Sequence, residues 1–405
     1  MTGSLGLQPW MLTPEVTRLF DALDAEGGAD CARFVGGCVR NTLLGQGVDD
    51  LDIATRLTPD RVSRAVEAAG GRAIPTGIEH GTVTAVLNSR PFEITTLRRD
   101  VSTDGRRAVV AFTEDWDLDA RRRDFTLNTL YAGRDGTLHD PTGRGRADAL
   151  AGRIIFVGDP AERIREDALR IMRFFRFQAW YGREEVDPPA LEACRDLAEL
   201  VTTLPAERTT KELLKLLCAR DPRLAVGLMA DCGVLARLLA PGGDLVLFGR
   251  MVELEPDPVL RLACLLPRIP DAMAAAIEDL RLSNEMRGRL ITAVDPDPAV
   301  AATMAPDEAR RVIYRIGNGP FCDRVKLAQA SGQGDWTDLL ALGHDWTAPV
   351  LPLTGADVMG SGVPRGPEVG RLLREVETWW IAEDFRPVRT EVLTRLEALV
   401  RGDEL

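Results

Sequence analysis

Two carboxylates one residue apart, Asp50 and Asp52, stand within the stretch of residues 48–55, shortly after the glycine pair Gly36-Gly37. If residues 51–54 form a strand, its period of two puts both aspartates on one face and Leu51 and Ile53 on the other. Two carboxylates side by side repel unless a cation neutralises them. Oxygen-only ligands beside a phosphate point to magnesium rather than zinc. Gly36 and Gly37 lack a Cβ and let the backbone pass close to something bulky. A helix expected over residues 38–44, with Val39, Leu43 and Leu44 inward and Gly45 as its stop, turns its free amides towards an anion. Arg40, one turn in, can add a guanidinium to that anion. A phosphate cradle followed by a pair of acids is the equipment of nucleotidyl transfer by paired metals, where one ion activates the attacking hydroxyl and both hold the reacting phosphate. Singly, the glycines read as a turn and the aspartates as a solvated strand end; their order and closeness make the combination specific.

The elements that must position these residues follow from pattern. Thr13-Pro14-Glu15 starts a helix with Leu19, Phe20 and Leu23 at helical spacing, and Phe34-Val35 ends a buried strand. Thr58-Pro59-Asp60 starts a second helix, to about residue 69, which Gly70-Gly71 ends. Residues 82–87 and 92–97 alternate as strands around a turn at Asn88-Ser89-Arg90-Pro91. The result is a small mixed sheet with helices on it. Residues 98–117 are long, charged and poor in pattern, with a turn at Asp104-Gly105-Arg106-Arg107; loops of that length are often functional. From Pro188 onward the text reads as helices, over residues 191–200, 208–218, 222–231 and beyond, with a buried segment at 262–266 and an amphipathic helix over 368–380.

Further residues could do chemistry. Glu93, within the second alternating strand, reads either as an outward glutamate or as a third carboxylate for the metals. Asp124 opens an expected helix with Asn128 one turn later on the same face; such a pair can hold a ribose hydroxyl, and Asp124 can equally be a cap. In a helix running from residue 166 to 177, Asp167 and Arg170 share a face. They make either an intrahelical ion pair or a reader of base edges. A carboxylate accepts from the exocyclic amino group of cytosine or adenine and repels the carbonyl of uracil or guanine. Arg173 is a candidate for bracing that pair.

The strings Gly36-Gly37-Cys38-Val39-Arg40-Asn41, Leu43-Leu44-Gly45 and Asp50-Leu51-Asp52-Ile53-Ala54-Thr55 are three of those that matter here. With Arg122-Arg123-Asp124-Phe125-Thr126-Leu127-Asn128 and Glu166-Asp167-Ala168-Leu169-Arg170, they resemble the class II tRNA nucleotidyltransferases, the CCA-adding enzymes, together with bacterial poly(A) polymerases. The likeness is strong over residues 33–181 and weak elsewhere, and it departs at Asn41, where the family has aspartate. It implies an α/β plus all-α protein: a polymerase-β-like mixed-sheet catalytic head over residues 1–150, a helical neck over 151–220 that reads the base, a helical body over 221–300 and an RNA-binding helical tail over 301–405. It implies template-independent addition of CCA to tRNA 3′ ends from CTP and ATP, with Mg2+ as cofactor. Poly(A) addition, or addition of CC or A alone, is the near alternative, and a non-catalytic RNA-binding protein the distant one. By the same resemblance Asp50 and Asp52 hold the metals and Glu93 joins them. Gly36, Gly37 and Arg40 hold the triphosphate, with Arg123 among the nucleotide-binding residues. Asp124 and Asn128 take the sugar, and Asp167 and Arg170 the base. Residues 98–117 correspond to a mobile element near the site, and residues 138–143 to a hinge.

Composition bounds the rest. The chain has 405 residues, enough for two to four domains, and its 45% hydrophobic and 28% charged residues are those of a soluble globular protein. No apolar run approaches the roughly 20 residues of a membrane span, and no secretory signal is visible. Seven cysteines without a Cys-x-x-Cys pair read as reduced core residues of a cytoplasmic protein. The net charge of −12 argues mildly against a nucleic-acid partner, but position decides. The only lysines are Lys211, Lys215 and Lys326; arginines cluster at 121–123 and 163–176. Downstream of residue 220 His344-Asp345 is the single His-Asp pair, so no metal phosphohydrolase module is expected there, and no protein partner is readable.

Overall fold

Alternation in the first third of the chain builds a sheet with both faces covered. A computed structural model describes residues 2–103, 108–183, 185–239, 241–332 and 334–402. Its strands are β1 (Thr2–Ser4), β2 (Ala32–Val35), β3 (Asp52–Thr55), β4 (Arg72–Gly77), β5 (Thr82–Leu87), β6 (Arg90–Thr96), β7 (Arg98–Thr103), β8 (Ala108–Phe112), β9 (Tyr131–Ala132) and β10 (Thr137–His139). Its first helices are α1 (Pro14–Gly27), α2 (Gly37–Leu43), α3 (Pro59–Ala68), α4 (Trp116–Arg121), α5 (Gly145–Ala151), α6 (Pro160–Glu166), α7 (Leu169–Tyr181), α8 (Pro188–Asp196) and α9 (Ala206–Leu217).

Among the described residues eight strands form one sheet in the order β1-β10-β9-β2-β3-β6-β5-β4. β3 and β6 run parallel, with Asp52 opposite Glu93, because α3 and the β4–β5 pair lie between them in sequence. Period two divides the two faces. Phe34, Ile53, Val83, Ala85 and Ile94 join the side chains of α1 and α3 in the larger core. Val35, Ala54, Leu97 and Tyr131 meet Trp116 and Ala120 of α4.

The expected helices at 14 and 59 form as α1 and α3, and the Asn88-Ser89 turn joins β5 to β6 with φ of 47° and 65° at its two residues. Other expectations need correction. The segment read as patternless contains the β7–β8 hairpin; the turn expected at residues 104–107 lies outside the described residues. β1 and β4 have no counterpart in the sequence reading. The helix expected over 191–200 is α8 followed by a 3-10 stretch, Ala198–Thr203. Six of the seven cysteines are buried, Cys218 being exposed.

The chain divides into two compact units, Met1–Gly242 with Pro267–Arg281, and Gly243–Leu266 with Leu282–Leu405. In the first, beyond the sheet, Phe125, Phe156, Phe174 and Phe177 stack against one another and fasten α7 to the segment before β9. The second is helical among its described residues. One cluster gathers Ile313, Phe321, Val325 and Leu339, and another gathers Val358, Leu372, Val376, Trp380 and Leu396 around the last three helices. No helix among the described residues is long and apolar enough to cross a membrane.

Candidate active site

The glycine corner forms where β2 runs into α2. Gly36 takes φ of 69° and ψ of −120°, a left-handed-side conformation that a Cβ would strain. A Cβ built there would lie 4.0 Å from Arg123 Nη1 and 4.0 Å from Asp52 Oδ2. The corner therefore stands between a guanidinium and a carboxylate. Gly37 opens α2, and Gly45, at φ 67°, follows its end, as the spacing predicts.

The acids differ from the expected arrangement. β3 spans Asp52–Thr55, so Asp50 lies in the irregular segment before it and does not share a strand face with Asp52. Asp49, Asp50 and Asp52 crowd like charge into that segment, which leaves Asp50 exposed. Glu93 is exposed too, directly across from Asp52. Asp52 is half-buried, and its pKa is pushed up to about 6 by burial and by Glu93, with Arg123 opposing and Asp50 adding to the rise. These are hard oxygen donors held against their own repulsion, and a divalent cation would relieve it. Among the described residues no three His, Cys, Asp or Glu side chains converge closely enough to hold a metal by themselves.

Arg123 is fixed from behind by a residue the sequence reading missed. Asp119, 1% exposed, accepts from Arg122 Nε at 2.8 Å, Arg123 Nη2 at 2.9 Å, the Tyr131 hydroxyl at 2.6 Å and the Arg98 amide at 3.2 Å. Burial works to raise its pKa, but Arg123, Arg122 and the Tyr131 hydroxyl hold it well below the usual carboxylate range. The signal was there: Asp119 precedes Arg122 and Arg123 by three and four, the helical neighbour spacing.

Arg40 is not an open phosphate arm. It is 6% exposed, and its Nη1 donates to Asn128 Oδ1 at 2.6 Å, its Nε to Asn41 Oδ1 at 3.1 Å and its Nη2 to the Tyr181 hydroxyl at 2.7 Å. Burial lowers its pKa, and Tyr181 works the other way. Asn128 Nδ2 passes the chain on to Asp124 Oδ1 at 2.9 Å, and Asp124 Oδ2 accepts from Arg173 Nε at 2.8 Å. Asp124 is 8% exposed; burial would raise its pKa, but Arg173 and Asn128 bring it down to about 2. Asp124 and Asn128 do meet, with Asn128 on a single 3-10 turn, Thr126–Asn128, and Asp124 two residues before it, rather than on the expected helix. Phe125 stays extended because it bridges to Phe156, and the Asp124 carboxylate takes the Phe125 amide.

The departure at Asn41 has a local account. Its Oδ1 accepts from Arg40, while its Nδ2 donates to the Gly47 carbonyl at 3.1 Å, in the loop before Asp50. A carboxylate could make the first contact but not the second.

Asp167 and Arg170 are not on one continuous helix. Asp167 is extended, at φ −149° and ψ 101°, between α6 and α7, and its Oδ1 accepts from the Leu169 amide at 3.1 Å. Aspartate competes with the helix by bonding nearby backbone in this way. Nor do the two side chains pair. Asp167 Oδ2 lies 3.6 Å from Arg208, whereas Arg170 donates to Glu166 at 2.7 Å and to the carbonyls of Arg163 and Arg122 at 2.9 and 3.1 Å. Arg173 braces Asp124 rather than the base-reading residues.

Comparison with known proteins accords with this geometry. Residues 32–155 match the family described as the poly A polymerase head domain, and residues 185–245 the one described as the probable RNA and SrmB-binding site of polymerase A. The chain is 34% identical over 393 residues to the mitochondrial CCA tRNA nucleotidyltransferase 1 of Homo sapiens, covering 90% of this chain and 86% of that one. It is 33% identical over 366 residues to the CCA-adding enzyme of Levilactobacillus brevis, covering 85% and 88%. In fold it is similar to the Bacillus stearothermophilus CCA-adding enzyme in complex with CTP, with a TM-score of 0.76 at 24% identity over 96% of this chain and 99% of that one. Sequence likeness along most of both chains, on this fold, makes the chain a member of the family of CCA-adding tRNA nucleotidyltransferases and poly(A) polymerases.

Proposed function

We propose that this protein adds CCA to the 3′ end of tRNA from CTP and ATP, without a nucleic-acid template. The observation that carries this reading is the corner at Gly36, flanked by Arg123 and by Asp52 at equal reach. A triphosphate lying there meets α2 amides and Arg123 on one side and metal-binding acids on the other. Asp50 and Asp52 would hold Mg2+, and Glu93, across from Asp52 on the neighbouring strand, adds negative charge beside them. Held there, Mg2+ would supply a lower pKa for the attacking 3′-hydroxyl and charge neutralisation for the triphosphate. Asp52, with a pKa of about 6, is ionised for that role at pH 7 and above.

The remaining residues bind and orient. Asp119 holds Arg123 in place, so the guanidinium needs no reorganisation when phosphate arrives. Arg40 orients Asn128 and through it Asp124, which together face the ribose. Asp167 and Arg170 read the base, admitting the amino-bearing edges of cytosine and adenine. The head over residues 1–150 supplies the chemistry and the neck over 151–220 the base readers, while the body over 221–300 and the tail over 301–405 hold the RNA. The relatives named above include a mitochondrial and a bacterial protein; the cysteine usage favours a reducing compartment, and we assign this chain to the cytoplasm.

Poly(A) addition is the second reading, favoured by the family that residues 32–155 match. One assay separates them. tRNA lacking its terminus is offered CTP and ATP, separately and together. Addition that stops after a defined CCA is the expected outcome; a long A tail supports the second reading, and no turnover of either nucleotide contradicts both.

A further inference from the structure

Helix α7 is tied to the glycine corner twice. Arg173 reaches it through Asp124 and Asn128, which ends on Arg40 Nη1. Tyr181, about two turns further along the same helix, reaches Arg40 directly. Its hydroxyl accepts from Nη2 at 2.7 Å, and its ring centroid lies 4.0 Å from the guanidinium carbon. The contacts close into a ring: α7, Asp124, Asn128, Arg40 and back to α7. Asn41 Oδ1, within α2, accepts two Arg40 donors and lies 3.4 Å from the Tyr181 hydroxyl. Tyr181 belongs to neither the acids nor the base readers.

We infer that Tyr181 is a positioning residue that sets the separation between the base-reading start of α7 and the triphosphate corner, and so the discrimination between bases. The inference rests on the nucleotide site proposed above. The packing of Phe174 and Phe177 holds the middle of α7, and the Tyr181 bond fixes its C-terminal end against Arg40. A nucleotide that spans from Gly36 to Asp167 and Arg170 is read correctly only if that span is fixed within a fraction of an ångström. Without the hydroxyl, Arg40 keeps the ring beneath it but loses an acceptor, and its remaining polar tie to α7 runs to Arg173 through Asn128 and Asp124. The wrong base then finds a reactive pose more often.

Tyr181→Phe keeps the ring and its packing and removes the bond. The expected result is a melting temperature within about 2 °C of the parent and a kcat for CTP incorporation lowered about fivefold to tenfold. The KM for CTP moves less than about twofold, and the ratio of kcat/KM for UTP over CTP rises about fivefold. Unchanged kcat with an unchanged UTP over CTP ratio overturns the inference. So does lowered stability with discrimination intact, which is what a packing role alone would give. The parent protein serves as the control: if it incorporates no CTP, the nucleotide-site reading falls, whereas an active parent with an indifferent variant removes only the role of Tyr181.

Discussion

Two buried or half-buried aspartates of one domain are driven in opposite directions. Asp124 sits in a closed circuit of donors, Arg173, Asn128 and the Phe125 amide, and its pKa is brought down to about 2. Asp52 faces Glu93 and Asp50 across a strand end, and its pKa is pushed up to about 6. The Asp124 side of the site is therefore neutralised by the chain itself. The acidic side is left short of positive charge, which the Mg2+ proposed above would supply. That difference is what a site divided between a permanent scaffold and an arriving cation would show.

The largest effect should come from breaking the scaffold's own balance. Asp119→Ala leaves Arg122 and Arg123 without their shared carboxylate, and removing one partner of a buried ion pair costs about 3–5 kcal/mol. Denaturant unfolding should show that loss, while adding Mg2+ should not restore it. A loss below about 1 kcal/mol would mean that Asp119 contributes no more than a surface pair.

pH sharpens the same comparison. Asp124 has a folded pKa below its unfolded value of about 3.9, so its contribution is full above that value and fades as pH falls towards 2. The shift corresponds to a contribution on the order of 2 kcal/mol. Asp52 has the reverse sign: its folded pKa is raised, so it opposes folding once pH climbs through the range from about 4 to 6. Unfolding free energies at pH 5 and pH 3 should converge between the parent and Asp124→Asn as pH drops. Asp52→Asn should instead gain on the parent between pH 4 and pH 8 in the absence of metal. Parallel curves would show that neither carboxylate is perturbed as described.

The smallest effect concerns the joint between the two regions. Asn41→Asp loses the bond to the Gly47 carbonyl but gives the buried Arg40 a formal counter-charge. These oppose each other, so global stability should change by less than about 1 kcal/mol. Amide exchange over residues 44–51 should quicken about threefold to fivefold. Unchanged exchange there would sever the link between Arg40 and the acidic loop.

Much of this was legible in the sequence because it is local. The glycine corner, the strand alternation around Phe34 and Ile94, and the start of α3 at Pro59 depend on neighbours within a few residues. The helix break at Asp167 was hidden because Glu166 and Arg170 keep the four-residue helical spacing across it, and only the carboxylate's bond to the Leu169 amide reveals the stop. The burial of Arg40 was invisible for another reason: its partners Asn128 and Tyr181 lie far along the chain, and only the fold brings them together. Asp119 was visible by spacing but silent about direction, since a solvated helix face has the same spacing.

The most direct test of the divided site is CTP binding by calorimetry, with and without Mg2+, in the parent and in Asp52→Asn. Without metal the variant should bind CTP more tightly, because it removes a negative charge from beside the triphosphate. With Mg2+ the order should reverse, the parent gaining about tenfold or more, equivalent to about 1.4 kcal/mol, and the variant little. Equal strengthening of both proteins by Mg2+ would contradict the assignment of Asp52 as the residue that holds the cation.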